Sequence, residues 1–495
     1  MDSAFNLVQT LSTIFVFVVG AFLLAIAVIF VIDVTQTTHT VRRNFPVIGR
    51  FRYVFERMGE FLRQYFYAQD REELPFNRAQ RSWVYRAAKG VDSTVAFGST
   101  LNLTPPGTPI FVNCPYPTLD RDSVPSGPML IGPHARKPYE AGSLVNVSAM
   151  SYGALSKPAV LALSHGSRMA GSWLNTGEGG ISPWHLEGGC DLVFQIGTAK
   201  YGARDHEGNL SDDKLREVGE IEQVKMIELK LSQGAKPGKG GILPAVKVTD
   251  EIARIRGIPV GKASISPNRH PEINSAGDLL DMINRIRDVS GLPVGFKAVI
   301  GAYGWLDELF EEIKKRGIES APDFITIDGG DGGTGAAPMS LIDNVGLQIK
   351  ESLPLVVDML CTHGLRQRIR VIASGKLINP SDAAAALCMG ADFINTARGF
   401  MFALGCIQAL QCNKNTCPTG VTTHNTRLQR GLVPEDKAQR VKRYCESLRK
   451  EIGIIAHSCG VVEPRGLRRF HCRIVQDDGR SIPLNELYPD IGTTR

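Results

Sequence analysis

The longest apolar run of the chain lies near its amino end. Residues 3–32 carry no charge, and every residue from 14 to 32 is apolar or glycine. These 19 residues would form a helix about 28 Å long at a rise of about 1.5 Å per residue, which matches the hydrocarbon core of a bilayer. The pattern predicts a transmembrane anchor over residues 1–34.

The charges beside the run indicate its orientation. A cleaved signal peptide is the alternative, but Asp2 is the only charge before the run, and residues 33–35 offer no small-x-small cleavage site. Arg42 and Arg43 follow the run closely. Because arginine-rich flanks stay on the cytoplasmic side, we expect a single-pass protein of the inner (cytoplasmic) membrane, with lipid as a partner and the catalytic body in the cytoplasm.

A second apolar pattern follows in a lead-in region, residues 35–130. Large apolar residues recur at helical spacing between 51 and 66, and arginines occupy much of the opposite side. The pattern predicts a helical lead-in packed on the main domain. The alternative is a helix that lies in the membrane interface, where aromatic residues and arginine are common.

From residue 131 to 430 the chain repeats a short apolar strand, a glycine-rich turn and an amphipathic helix. This order is typical of parallel α/β construction. Eight strands are predicted, at residues 144–149, 173–176, 192–196, 226–231, 293–299, 324–327, 369–373 and 393–396. They favour a (β/α)8 TIM barrel, in which the carboxyl ends of the strands face one mouth. A doubly wound open sheet is the alternative, but its glycine-rich fingerprint would follow the first strand.

Two glycine-containing turns follow the seventh and eighth predicted strands. They read Ser374-Gly375-Lys376 and Ala397-Arg398-Gly399. Barrels commonly bind phosphate between these loops, so the pair predicts a phosphate-bearing ligand. Lys297, inside the fifth strand, should point into the same mouth. We favour a cation beside the pyrimidine end of a flavin; the alternative is a structural ion pair with a barrel carboxylate.

Composition and charge narrow the class of protein. The chain is 43% hydrophobic and 21% charged, as folded globular proteins are, and its net charge is only +6. It contains no basic run of the kind that follows a phosphate backbone. Nucleic acid is therefore not an expected partner.

Three of the ten cysteines lie close together near the end of the predicted barrel. Cys406, Cys412 and Cys417 form the spacing C-x5-C-x4-C, with proline after the last. An iron–sulfur cluster of three irons fits this spacing. A zinc site completed by His424 and a set of inert buried cysteines are the alternatives that the spacing leaves open.

Several long motifs point to one family. They are residues 148–156 (Ser-Ala-Met-Ser-Tyr-Gly-Ala-Leu-Ser), 175–180 (Asn-Thr-Gly-Glu-Gly-Gly), 233–241 (Gln-Gly-Ala-Lys-Pro-Gly-Lys-Gly-Gly), 265–267 (Ile-Ser-Pro), 330–336 (Gly-Asp-Gly-Gly-Thr-Gly-Ala) and 417–421 (Cys-Pro-Thr-Gly-Val). In order and length they closely resemble the FMN-binding domain of glutamate synthases, specifically the short, archaeal-type, stand-alone branch. The resemblance implies FMN in the barrel mouth and a [3Fe-4S] cluster on Cys406, Cys412 and Cys417.

The resemblance also implies which residues hold the cofactor. The expected contacts with the flavin ring are Met150, Ser151, Gln195 and Lys297. The remaining cofactor-binding positions lie on the last three strand ends and are Asp328, Gly330, Gly332, Ser374, Gly375, Lys376, Ala397, Arg398 and Gly399.

The family's substrate implies a dicarboxylate site. Gln233, Lys236 and Arg256 resemble positions that hold the carboxylates of 2-oxoglutarate, and two separated cationic clamps suit a dicarboxylate. Glu178 and Lys236 are the candidate catalytic residues. Glu178 is the candidate for proton transfer, with a helix-capping carboxylate as the alternative. The implied reaction is reductive amination of 2-oxoglutarate, through 2-iminoglutarate, to L-glutamate.

The chain also departs from the family pattern. Ile242, Lys239 and Asp328 stand where the family has glutamine, glutamate and serine. Residues 431–495, expected to be a helical extension, are too few for the β-helical domain of the long enzymes. Without a glutaminase domain, ammonia should be free or come from a separate subunit. Electrons should be exchanged with an external ferredoxin-like protein, a reductase subunit or a quinone.

These departures keep two further functions open. A polar group lost beside a ligand changes what can bind. The first alternative is therefore an N-substituted glutamate synthase, or an amino-acid dehydrogenase that passes electrons to a membrane carrier. The second is a non-catalytic flavin-binding membrane scaffold, against which the intact Lys297, Gln233 and Lys236 argue.

Overall fold

The computed structural model describes residues 2–491, and the backbone separates into two compact units, Met1–Arg81 and Ser82–Arg495. The first unit is helical. It contains α1 (Asp2–Thr35), α2 (Thr40–Asn44), α3 (Gly49–Leu62) and a π-helical turn at Arg63–Tyr67. A further helix, Arg78–Lys89, begins in this unit and ends in the second.

The long helix α1 contains the predicted apolar run. Within its segment Phe5–Thr35, a window of 18 residues has a mean hydropathy of 3.2, and the segment is long and apolar enough to cross a membrane. Near its end, the fully buried Asp33 accepts hydrogen bonds from the backbone N–H of Val47 (3.0 Å) and from Nε of Arg50 (2.8 Å). The last turn of α1 is thereby tied to the first turn of α3.

The second unit is built around a closed barrel of eight parallel strands. They are β1 (Val145–Val147), β2 (Leu174–Asn175), β3 (Leu192–Ile196), β4 (Val224–Lys230), β5 (Val294–Ala298), β6 (Phe324–Asp328), β7 (Arg370–Ser374) and β8 (Phe393–Thr396). β8 pairs with β1 and closes the ring. The prediction of a (β/α)8 barrel is confirmed, and each predicted strand overlaps an observed one.

The strands lack polar alternation because side chains on both of their faces are buried. Inside the barrel, large apolar side chains fill the end near the strand starts, with Trp173, Phe324 and Phe393 in one cluster. Towards the other end the interior becomes polar. Polar groups therefore meet at the carboxyl ends of the strands.

Helices surround the barrel and follow its strands. The longer ones are Lys157–Ala170, Asp212–Gly219, Ala276–Ser290, Gly304–Arg316, Ile349–Thr362 and Pro380–Cys388. Shorter helices are Pro183–Leu186, Asp250–Arg256, Met339–Ile342, Arg398–Leu404 and Thr426–Gln429. Short strand pairs outside the barrel are Met129–Ile131 with Tyr139–Ala141 and Ile242–Leu243 with Ser264–Ile265.

The C-terminal extension is only partly helical, which corrects the expectation for residues 431–495. The helix Pro434–Ser458 is followed by the strands Cys472–Val475 and Ser481–Pro483 and by the short helix Leu484–Leu487. The first of these strands also pairs with Pro109–Phe111 of the lead-in region. Residues 492–495 of the predicted extension lie outside the described part of the chain.

Candidate active site

A deep cavity opens at the carboxyl ends of the barrel strands. Its empty space is about 1270 Å³, part of which is open to solvent. Most residues predicted for the site line it, and these are Met150, Ser151, Glu178, Gln195, Gln233, Lys236, Arg256, Lys297, Asp328, Gly332, Ser374, Gly375, Lys376, Ala397 and Arg398. Residues that are spread over about 250 positions of the chain thus line one continuous cavity.

Two predicted cofactor-binding glycines lie behind the cavity wall. A Cβ at Gly399 would lie 2.0 Å from Oη of Tyr444, and a Cβ at Gly330 would lie 2.4 Å from the carbonyl oxygen of Gly346. Close packing against these neighbours accounts for glycine at both positions.

The phosphate-type loops after β7 and β8 lie side by side at one end of the cavity. Lys376 has a left-handed backbone (φ +51°) beside Gly375 (φ +129°), so this turn bends sharply. Arg398 donates a hydrogen bond to the carbonyl oxygen of Thr334, and its Nη1 lies 4.0 Å from Sγ of Cys412. Two cations and a glycine-containing turn thus lie at the same end of the cavity.

The cavity floor contains an ion pair that sequence reasoning gave only as an alternative. Nζ of Lys297 lies 3.0 Å from Oδ2 of Asp328, and the same carboxylate accepts a hydrogen bond from the backbone N–H of Gly234 at 2.9 Å. Burial opposes the charge of Lys297, but Asp328 and Glu228 outweigh it and raise its pKa. Lys297 is therefore a paired cation.

Below this pair, a buried carboxylate organises the barrel interior. Glu228 accepts hydrogen bonds from Asn175 (2.8 Å), Gln195 (2.7 Å) and Thr326 (2.6 Å). Since the amide nitrogen of Gln195 donates to Glu228, its amide oxygen is left to accept a hydrogen bond at the cavity. The orientation of a predicted flavin contact is thus fixed from beneath.

Glu178 occupies a narrow slot on the opposite side of the cavity. A Cβ at Gly197 or at Gly241 would come within 2.6 Å or 2.4 Å of its carboxylate oxygens. Nζ of Lys230 lies 2.9 Å from Oε1 of Glu178. Burial alone would raise the pKa of Glu178, but the charges of Lys230 and Lys236 outweigh it and lower this pKa. Glu178 is therefore an ionised, paired carboxylate.

Two cations stand beside Glu178. Burial, together with the charge of Lys230, lowers the pKa of Lys236 to about 8. Arg256 donates from Nη2 to the carbonyl oxygen of Tyr152 at 3.1 Å, and burial lowers its pKa. Within residues 2–491, Nε of Arg256 has no hydrogen-bond partner. A buried guanidinium nitrogen without a partner is suited to an anionic ligand.

Lys230 is a site residue that sequence reasoning missed. It lines the cavity, pairs with Glu178 and donates to Oε1 of Gln233 at 2.9 Å. The signal was present in β4, where Glu228 and Lys230 are two residues apart and so share the inward face of the strand. The run had been interpreted only as an apolar strand that ends at a polar turn.

The three clustered cysteines lie on the loop after the helix Arg398–Leu404. Cys406 and Cys417 are buried, and Cys412 lines the cavity. In the described part of the chain, no group of three or more His, Cys, Asp or Glu side chains is placed to hold a metal ion. His424 is used elsewhere, since its Nε2 lies 2.8 Å from the carbonyl oxygen of Gly153.

Comparison with known proteins places this geometry in context. The family model "Conserved region in glutamate synthase" matches residues 120–462. The glutamate synthase large subunit-like protein YerD of Bacillus subtilis is 40% identical over 95% of this chain and 97% of its own length. The archaeal glutamate synthase [NADPH] of Methanocaldococcus jannaschii is 31% identical over 69% of this chain and 63% of its own.

Another archaeal-type relative and one solved structure are also similar to this chain. The archaeal-type glutamate synthase [NADPH] of Thermotoga maritima is 32% identical over 66% of this chain and 61% of its own length. The chain therefore spans less than two thirds of these archaeal-type relatives. A mandelate oxidase with an FMN adduct aligns with 80% of this chain and 92% of its own, at 15% identity and a TM-score of 0.44.

The fold and the cavity define an FMN-dependent oxidoreductase built on a (β/α)8 barrel. The chain belongs to the glutamate synthase family. The alternative of a non-catalytic scaffold is not supported.

Proposed function

We propose that this protein catalyses the reductive amination of 2-oxoglutarate to L-glutamate at the mouth of its barrel. The observation that carries the proposal is the buried group of Lys230, Lys236 and Arg256 around one ionised carboxylate, Glu178. The cations exceed the carboxylates of this group, so it suits a substrate with two negative charges.

The chemistry of the cavity fits FMN. The cavity combines apolar surface with several cationic and amide side chains, as cofactor sites do. Lys376 and Arg398 would hold the phosphate, and Met150, Gln195 and Lys297 would contact the ring. Bound FMN supplies the hydride that reduces a C=N bond.

The residues of the chain itself would bind and orient the substrate. Arg256, whose buried Nε has no hydrogen-bond partner within residues 2–491, would hold one carboxylate, and Lys236 would hold the other. Gln233, whose amide oxygen accepts from Lys230 and whose amide nitrogen donates to the carbonyl oxygen of Gly333 at 3.4 Å, would form the cavity wall beside the bound substrate. Hydride adds to C2 of 2-iminoglutarate, and a proton adds to its nitrogen.

The protonation states assign different parts to the two candidate catalytic residues. Glu178 is ionised at neutral pH, so it accepts a proton or stabilises the positive iminium but does not act as an acid. Lys236, with a pKa of about 8, is protonated at neutral pH and close enough to neutrality to donate a proton.

The proposal also covers the domain boundaries, the membrane orientation and the partners of the protein. Residues 1–34 form a membrane anchor, 35–130 a lead-in, 131–430 the catalytic barrel and 431–495 an extension, with the barrel on the cytoplasmic side of the inner membrane. Ammonia is free or supplied by a separate subunit, and electrons come from a ferredoxin-like protein, a reductase subunit or a quinone. The apolar helix α1 supports the anchor.

A [3Fe-4S] cluster on Cys406, Cys412 and Cys417 completes the proposal. Their spacing on one loop and the burial of Cys406 and Cys417 support it. Within residues 2–491, these three thiols are not placed to bind one metal ion together. We therefore derive no catalytic step through a cluster.

Reoxidation of the reduced flavin tests the reaction. Wild-type protein, reduced anaerobically, should be reoxidised by 2-oxoglutarate with ammonium. Loss of a bidentate carboxylate contact costs about 2–4 kcal/mol, or roughly 30- to 1000-fold in kcat/KM, so Arg256→Ala should abolish this reoxidation with unchanged flavin spectra. Arg256→Lys should recover only part, since a point charge cannot replace the guanidinium fork.

The exposed neighbour Arg254 provides the matched control, because Arg254→Ala removes the same charge from the same helix. The dicarboxylate assignment would be refuted if dicarboxylic keto acids do not reoxidise the reduced wild-type flavin but a monocarboxylic keto acid does. In that case Arg256→Ala would also leave the reoxidation unchanged.

One observation favours a second candidate, an N-substituted glutamate synthase. Ile242 lines the cavity where the family resemblance leads us to expect glutamine. An apolar side chain there suits a small alkylamine better than ammonia. Reoxidation with methylamine in place of ammonium distinguishes the two functions, and Ile242→Gln should shift the preference towards ammonium.

A further inference from the structure

The helix α3 carries an uncovered apolar face. Phe51, Val54, Phe55 and Met58 lie within one third of its circumference, and we call them the apolar stripe. Their exposed fractions are 57%, 49%, 63% and 45%. Large apolar side chains that remain this exposed together mark a surface for another molecule or for lipid.

The charge around the stripe is positive. Residues 36–63 contain six arginines and two glutamates, a net charge of +4. Arg52 and Arg57 flank the stripe on its two edges. A helix with a face of aromatic and other apolar residues that arginines flank is typical of helices that lie in the interface of anionic bilayers.

A buried ion pair sets the level at which α3 begins. Asp33 is the first charge after the apolar run of α1, so it marks where that helix would leave the hydrocarbon. Its carboxylate binds the guanidinium of Arg50 at 2.8 Å and the backbone N–H of Val47 at 3.0 Å. The start of α3 is thereby fixed beside the exit of α1, at the depth of the lipid headgroups.

We propose that α3 lies in the cytoplasmic interface of the membrane, with the apolar stripe among the upper acyl chains and the arginines at anionic headgroups. The inference rests on the proposed membrane anchor α1. An interfacial helix of this kind buries its apolar face about 5–10 Å into the headgroup and acyl boundary. The bilayer, rather than a second protein, covers the stripe because the Asp33–Arg50 pair already holds α3 at the membrane surface.

Site-specific fluorescence in the full-length chain tests the proposal. A fluorescent amino acid is incorporated by codon suppression at Phe55, on the stripe, or at Glu56, its neighbour on the polar face, and each protein is reconstituted in vesicles of phosphatidylcholine and phosphatidylglycerol. The probe at position 55 should be quenched by lipid brominated near the carbonyl ends of its chains and protected from aqueous acrylamide. The probe at position 56 should respond in the opposite way.

The outcomes separate the inference from the anchor. If the chain does not sediment with the vesicles after a carbonate wash, both the anchor and the inference fail. If it sediments but acrylamide quenches positions 55 and 56 equally, the anchor stands and the inference is overturned. Protection of position 55 without quenching by brominated lipid would also overturn it, because a second copy of the chain or another protein would then cover the stripe.

Discussion

Lys297 and Asp328 face each other across neighbouring strands of the barrel floor, with Nζ and Oδ2 3.0 Å apart. The register of β5 and β6 brings them together, since Lys297 pairs with Thr326, two residues before Asp328. Serine stands in place of Asp328 in the family pattern that the sequence resembles. The carboxylate therefore offsets a cation that would otherwise act on the flavin alone.

Removal of this carboxylate should make the flavin easier to reduce. In Asp328→Asn, the uncompensated Lys297 would stabilise the negative charge of the reduced flavin by about 1–3 kcal/mol, or roughly 20–65 mV for a two-electron couple. Spectroelectrochemical titration of the bound flavin measures the shift. Asp343→Asn, at an exposed residue, is the control. An unchanged or lower potential in Asp328→Asn would contradict the role of the pair.

Removal of the two phosphate-loop cations should release FMN. Each charged hydrogen bond to phosphate contributes about 1.5–3 kcal/mol, so Lys376→Ala combined with Arg398→Ala should weaken FMN binding at least roughly a hundredfold. Equilibrium dialysis against free FMN measures the loss. The exposed pair Lys315→Ala and Arg121→Ala removes the same charge and should retain FMN. Full flavin content in the first double variant would refute the placement of the phosphate.

The buried lysine of the substrate site predicts a pH dependence. The pKa of Lys236 is about 8, so this side chain loses its positive charge as pH rises through that value. Binding of a carboxylate should weaken accordingly, and kcat/KM for 2-oxoglutarate should fall about tenfold per pH unit above the pKa. Lys236→Arg should keep 2-oxoglutarate binding to higher pH because a guanidinium stays charged, while kcat should fall because arginine cannot donate the proton.

The exposed Lys239 lies three residues away and offers a matched control. Lys239→Arg should leave the pH profile unchanged. The assignment is wrong if the limb near pH 8 persists in Lys236→Arg.

The three clustered cysteines predict the iron content of the purified protein. Protein purified without oxygen should contain about three irons per chain, and Cys412→Ser should lose them while FMN is retained. Elemental analysis and absorption spectra measure both. Cys361→Ser changes a cysteine outside this loop and should keep its iron. Zinc in place of iron, with no charge-transfer absorption, would disprove the cluster.

The sequence predicted the barrel well because its signals are local. Each strand is a short apolar run that ends at a glycine or polar turn, and these runs recur at β1 to β8. Most of the residues that the motif resemblance implies for the site, including Gln195 and Arg256, line the cavity.

The sequence did not predict which charges are paired. Asp328 reaches Lys297 through the register of two strands, and Lys230 reaches Glu178 across the cavity from another element. These contacts depend on strand register and on the positions of distant loops, which no local sequence pattern encodes. The sequence therefore favours Lys297 as a cation beside the flavin, with an ion pair only as the alternative, and gives no role to Lys230.

Tyr444 of the helix Pro434–Ser458 joins the two loops that we propose for the phosphate. Its hydroxyl donates to the carbonyl oxygen of Ile378, beyond the loop after β7, at 2.9 Å. Its ring packs against Phe400, beyond the loop after β8, with 5.1 Å between centroids. The barrel is consequently not a separable module. Any rearrangement of genes that transfers this flavin site to a new protein has to carry the C-terminal helix with it.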